Sequence, residues 1–281
     1  MSLSMIDRCR PTAGQAPQLM LDAWHYAARL LDRGTPPWTD STAMVSLGRR
    51  LAGLLRPEVL SLPLLAWFEA RVAADARLQA LMRQRSRTAY AMKTALADEA
   101  LRRDLADLVG ALCGAMPAVA LVPTLAAPAR WLQAAYTAAH GHAADDIDDD
   151  VCEQAEVFLA DLLRVLAPLP IAGLLLNEPL ARADEAWAAV HTPVFNAAVH
   201  YRWPLGAAVE AIDGTLPAPL SWRVGAPAAA GTPAALALPP TFWQADGVLP
   251  AAAGLYAGHL PEDAQPETVL AQLTRLRSVA A

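Results

Sequence analysis

From Gln15 to about Met116 apolar residues recur at helical spacing: Leu19, Ala23, Tyr26, Ala27, Leu30 and Leu31 share one face, and Leu78, Leu81 and Met82 continue a later run. The first third of the chain therefore reads as helices. Breaks fall at Gly34-Thr35-Pro36-Pro37, Arg56-Pro57 and Leu62-Pro63, and Asp40-Ser41-Thr42 is a helix start. Residues 43–47 and 59–65 are the strand candidates of this part. Beyond Met116 the pattern changes, because short apolar runs ending in Pro or Asn alternate with longer amphipathic segments. Residues 118–123 precede a helix over 128–139, and residues 171–176 precede a helix over 184–199. Further strands are expected over 220–224, 234–238 and 254–257, with a terminal helix over Pro266–Arg277 and an Ala/Gly/Pro-rich loop over 225–233.

A short buried strand followed by an amphipathic helix is the repeat unit of a parallel sheet wrapped in helices. The fold class expected is α/β, a TIM-type barrel with a helix-rich N-terminal third. Residues 1–116 form the helix-rich part and 117–281 the βα part, together one barrel-like domain. Fewer than eight strands are legible, so the pattern leaves open whether the barrel is complete or irregular.

Composition narrows the chemistry. At 281 residues and 55% hydrophobic content the chain can bury a large core, and Asp plus Glu outnumber Lys plus Arg by 28 to 22, which disfavours a polyanion-binding surface. Nucleic acid is not an expected partner. No apolar stretch reaches the length of a membrane span, so neither a membrane partner nor a membrane location is expected. The only lysine, Lys93, sits in a helical run, which leaves Schiff-base chemistry without a good candidate. Cys9, Cys113 and Cys152 show no paired spacing, so no disulfide framework or zinc knuckle is encoded and a reducing cytoplasm is expected. Met1 to Ser4 read as a leader ahead of a start at Met5. Nucleophile-elbow, phosphate-loop and zinc-protease motifs are all missing from the sequence.

The run Ile171-Ala-Gly-Leu-Leu-Leu-Asn177-Glu178-Pro179 places two polar residues at the end of a buried strand, where barrel enzymes hold their chemistry. It resembles the strand ending in Asp-Glu-Pro of cobalamin-independent methionine synthase. The C-terminal Gly254-Leu-Tyr256-Ala-Gly258-His259, continuing to Pro266-Glu267-Thr268, is similar to the last strand, loop and helix of that family and of its uroporphyrinogen decarboxylase relatives. Val122-Pro123-Thr124 resembles the short turn after an earlier strand. The resemblance implies a barrel enzyme acting on a small carboxylated or methylated molecule. It departs from the methionine synthase branch at the metal, since the strand ends Ser221-Trp222-Arg223, Leu238-Pro239-Pro240 and Ala257-Gly258-His259 carry no cysteine for a thiolate zinc site. Arg83 and Arg87, in a segment like the decarboxylases' substrate-holding one, lie in the wrong place relative to Val122 and read as a solvated helix face.

The expected catalytic residues are Glu178, as a carboxylate at a strand end, and His259, as an acid or base. Asn177, Arg223 and Tyr256 are the expected substrate-binding residues, with no metal and no cofactor. Two other classes stay open. One is a non-catalytic binding or scaffold protein that kept the barrel. The other is a Mg²⁺-dependent isoprenoid diphosphate enzyme using Asp145-Asp146-Ile147-Asp148-Asp149-Asp150, a run that as a helix start would instead cap its own backbone.

Overall fold

A computed structural model describes residues 4–10, 16–32, 34–212, 216–225, 233–249 and 251–278, and for Leu180 and residues 210–212 the backbone alone. Eight strands, β1 (Gln18–Asp22), β2 (Val59–Pro63), β3 (Ala120–Ala126), β4 (Leu174–Ala183), β5 (Leu205–Ile212), β6 (Trp222–Gly225), β7 (Ala234–Ala237) and β8 (Leu255–His259), pair in that order. All are parallel, and β8 pairs back onto β1, closing the barrel. The fold is a TIM-type α/β barrel, and it is complete.

The helices are unevenly distributed. A short α1 (Met5–Arg8) precedes β1, while α2 (Trp24–Asp32) and α3 (Ser41–Leu55) lie between β1 and β2. Four helices, α4 (Leu64–Ala73), α5 (Ala76–Met82), α6 (Thr88–Leu96) and α7 (Glu99–Ala115), fill the β2–β3 crossover. This crossover is why the first third reads as helical although two barrel strands lie within it. α8 (Pro128–His140) and α9 (Asp149–Leu163) follow β3, and α10 (Glu185–Val190) and α11 (Thr192–Tyr201) follow β4. Between β5 and β8 no α-helix occurs among the described residues, only a 3₁₀ turn over Pro240–Trp243, before α12 (Pro266–Arg277) ends the barrel.

Several expectations change against this frame. Residues 43–47 are not a strand but the first half of α3, whose N-cap is Asp40: its carboxylate accepts the Ala43 N–H at 2.9 Å, so the polar start of that segment dictates helix. Leu19 belongs to β1, not to a helix running from Gln15. β5 carries no expectation at all, because its Leu-Gly-Ala-Ala-Val run lacks the β-branched density that marks a strand. The helix over 184–199 is two helices, broken where Thr192-Pro193 opens α11. Met1 to Leu3 and most of the loop over 225–233 lie outside the described residues, whereas Ser4 caps α1 by accepting the Asp7 N–H at 3.2 Å.

Side-chain alternation sorts the strands into two faces. Leu19, Leu21, Leu60, Leu62, Leu121, Leu174, Leu176, Leu205 and Tyr256 point outward into the large core beneath the helices. Met20, Val59, Val122, Leu175, Ala208, Trp222, Ala235, Leu255 and Ala257 fill the barrel, with Met5 and Cys9 joining them from the N-terminal side. Gly206 makes this filling possible, since a Cβ there would stand 2.3 Å from the Trp222 ring. The large indole thus occupies the barrel from β6, and the alanines above it leave room toward the C-terminal strand ends.

Candidate functional site

That room is a cavity of about 390 Å³, near the small end of the range for ligand sites, and all eight strands contribute to its lining. Met20, Leu175, Ala208, Val224 and Ala257 supply apolar surface, and Ser61, Thr124 and Asn177 supply neutral polar groups. Among the described lining residues the only ionisable ones are Asp22 and His259. The closing register explains their meeting, because Asp22 and His259 are Cα partners in the β1–β8 ladder and both side chains alternate onto the inner face. Asp22 Oδ2 lies 3.4 Å from His259 Nδ1. The contact with Asp22, stronger than the opposing cost of burial, holds the imidazole above its ordinary range. Asp22 Oδ1 is shut off from solvent and has no hydrogen-bond partner in the protein.

The strand beneath is held from the neighbouring turn. Trp24, the first residue of α2, donates its indole N–H to the Ser61 carbonyl at 2.6 Å, tying the segment just past Asp22 to β2. Thr124 Oγ1 donates toward the Leu62 carbonyl at 3.4 Å, so its hydroxyl is anchored to the same strand.

Of the residues expected from the sequence, His259 and Asn177 line the cavity, and the other three do not. Glu178 follows Asn177 on β4 and therefore points to the opposite side. There its Oε1 lies 3.0 Å from His191 Nε2 and its Oε2 accepts the Trp187 indole N–H at 3.0 Å. On the other side of the imidazole, Nδ1 lies 3.2 Å from Glu156 Oε1 of α9. Glu156, His191 and Glu178 are all buried, so this is a carboxylate–imidazole–carboxylate stack sealed between β4, α9 and α10. Burial pushes Glu156 up, against the pull of His191. Burial alone would lower His191, yet its contacts with Glu156 and Glu178 prevail and raise it to about 9. Cys152, nearby on α9, is pushed to about 11 by burial and by the surrounding carboxylates, which makes it a poor nucleophile.

Tyr256 sits on the outer face of β8, buried, with its hydroxyl donating to the Ala251 carbonyl at 2.9 Å. Arg223 alternates with Trp222 and Val224, both of which face the barrel interior, so its side chain leaves on the helix side. Neither reaches the cavity. Alternation is the physical reason for both departures.

Sequence reasoning missed Asp22 because β1 was absorbed into a helical run. The signal was present, since Gln18-Leu-Met-Leu-Asp22 is a short apolar run ending in a polar residue, the same pattern as Leu174-Leu-Leu-Asn177. Glu156 and His191 carry no such signal, because they meet only once α9 and α10 pack. Asp148 is the N-cap of α9, accepting the Val151 N–H at 2.9 Å, with Asp149 and Asp150 in the first turn. Among the described residues no group of three or more His, Cys, Asp or Glu is placed to hold a metal ion, and no helix is long and apolar enough to cross a membrane. No protein-family model matches this chain and no curated protein sequence matches it, so the geometry of the barrel mouth is what a functional reading stands on.

Proposed function

We propose that the protein is an enzyme acting on a small molecule at the C-terminal mouth of the barrel by general acid–base chemistry, with His259 as the proton-transferring group and Asp22 as its partner. The observation that carries this reading is the Asp22–His259 pair, which holds both ionisable groups of the described cavity lining side by side where barrel enzymes work. Asp22 engages Nδ1 and favours the imidazolium, which leaves Nε2 as the nitrogen free of Asp22 for exchange with a reacting group. The protonated ring is then the acid of the pair. It gives a proton to a developing oxyanion or leaving group and recovers one in the return step. Asn177, on the inner face of β4, would orient the substrate from the opposite wall.

Kinship with the methionine synthase and uroporphyrinogen decarboxylase superfamily remains part of this proposal. It is supported by the closed barrel and by the β8–α12 segment with its Pro266-Glu267-Thr268 helix start, both of which are fold-level arguments. The test is conversion of a small-metabolite mixture followed by mass spectrometry, with His259→Ala and Asp22→Asn beside the wild type. An enzyme of this kind loses about 10²-fold or more of its turnover in both variants while their circular dichroism stays that of the wild type. A protein that only binds holds its ligand unchanged in every case, and that outcome would replace the catalytic reading.

A further inference from the structure

We infer that the cavity selects a small molecule presenting a hydrogen-bond donor, a hydroxyl or an ammonium, together with an apolar flank, and that it rejects carboxylates and phosphates. The inference rests on the barrel-mouth cavity being the working site, and it narrows the substrate class of that site.

The charge inventory is the first support. The chain has 22 lysines and arginines, yet none is among the residues described as lining the cavity. Arg223, the arginine nearest in sequence to a lining position, is carried to the other face of β6 by alternation with Val224. Among the described lining residues an anion would therefore meet one cation, His259, which is already paired with Asp22 at 3.4 Å. Sites that grip carboxylate or phosphate use arginine forks, and this lining has none.

The second support is independent of charge counting. Asp22 lines the cavity with 26% of its side-chain surface exposed, and its one contact with His259 leaves the carboxylate with acceptor capacity to spare toward a ligand. A donor on the ligand can bond this carboxylate, whereas a carboxylate or phosphate oxygen brings a second acceptor against it. Ser61, Thr124 and Asn177 can complement either polarity and so do not reverse the preference. Around them Met20, Leu175, Ala208, Val224 and Ala257 offer methyl and methylene contacts, which suit a short alkyl or methylated flank.

Three probes that share one branched alkyl chain and differ only in head group separate the possibilities: isoamyl alcohol, isoamylamine and isovalerate. Binding is followed by chemical-shift changes of the cavity methyl groups in the full-length protein. The expected result is that the alcohol, the amine or both bind at least about tenfold more tightly than isovalerate, and that Asp22→Asn abolishes the margin. The pH dependence tells the two donors apart. An ammonium competes with the imidazolium and tightens as pH rises through the titration of His259, and a hydroxyl does not. His259→Gln serves as the second variant, keeping Asp22 in place, and should bind the amine at least as tightly as the wild type. Isovalerate binding best, an unchanged preference in a folded Asp22→Asn protein, or no binding by any probe at millimolar concentration would each overturn the inference. Turnover is not read in this experiment. A protein that prefers the amine but converts nothing keeps this inference and loses the catalytic one, and a protein that converts carboxylates does the reverse.

Discussion

Two histidines stand beside carboxylates on opposite sides of the barrel, one at the inner face of β8 and one behind β4. His259 meets Asp22 at the cavity mouth, with 62% of its side-chain surface exposed, whereas His191 lies between Glu156 and Glu178 at 2%. The chemistry of the two groups is alike, but one pair faces into the barrel while the other is turned outward from its strand and covered by helices. Outside the barrel α9, α10 and β4 exclude water and ligands alike, so the ionic contacts there can only hold structure together. Inside, the strand ends stay open, and the same kind of contact remains available to a reacting molecule.

Removing one member of each pair should widen that contrast most. His191→Ala leaves two glutamates facing one another in a dry site, and loss of one partner of a buried ionic group costs about 3–5 kcal/mol. His259→Ala, at the open mouth, should cost less than about 1 kcal/mol, since exposed pairs are screened. Urea unfolding of both variants reads the difference. Equal losses would mean that the outer stack is not the structural member of the two.

The pH dependence of stability sharpens the comparison. His191 is raised from an ordinary value near 6.5 to about 9, so the stability it contributes is fully present below about pH 6.5 and is lost as pH rises through 9. Glu156, also raised, tilts stability in the same direction at lower pH, because the folded state holds its proton longer than the unfolded chain does. The thermal midpoint of the wild type should therefore fall between pH 7 and pH 9.5. In His191→Gln that slope should flatten, and a slope of wild-type size in the variant would assign it to another group.

The same two regions show how much was legible in the sequence. The first half of β4 stood out in the run Leu174-Leu-Leu-Asn177-Glu178, and β8 in Leu255-Tyr-Ala-Gly-His259, because both are short apolar runs closed by polar residues. What the runs did not reveal was the face. Choosing Glu178 over Asn177, or Tyr256 over Ala257, needs the strand phase, and that is set by partners distant in the chain. Asp22 was hidden differently, since Leu19, Ala23, Tyr26 and Ala27 also satisfy a helical period, and β1 and α2 are separated only by Ala23. The barrel was legible because the βα alternation after Met116 is local. Its closure was not, because β1 and β5 carry weak signals and are recognisable as strands only once paired.

A third kind of carboxylate sets a scale between the two. Asp148 is exposed and tied only to the α9 backbone, so Asp148→Ala should cost about 1 kcal/mol through the lost cap. Mg²⁺ with pyrophosphate should not raise the thermal midpoint if the acidic run serves the helix start. A Mg²⁺-dependent stabilisation that Asp148→Ala removes would instead give this run a diphosphate role and weaken the case for the barrel mouth as the working site.

The smallest effect on stability is the most informative about the cavity. Asp22→Asn removes the charge that holds the His259 imidazole up, and the substitution is nearly isosteric, so unfolding should shift by less than about 1 kcal/mol. The titration of His259, followed through its ring proton by NMR, should nevertheless move down toward the ordinary imidazole range, while that of His191 stays high because Glu156 and Glu178 are untouched. The sign follows from the contact: losing an anion at 3.4 Å disfavours the protonated ring, so proton release from His259 comes at lower pH in the variant. If both histidines shift together, the inner and outer groups are coupled across the barrel and the division between them fails. If only His259 shifts, the barrel insulates a reactive pair from a structural one, and Asp22 tunes the proton affinity at the cavity independently of the stack behind β4.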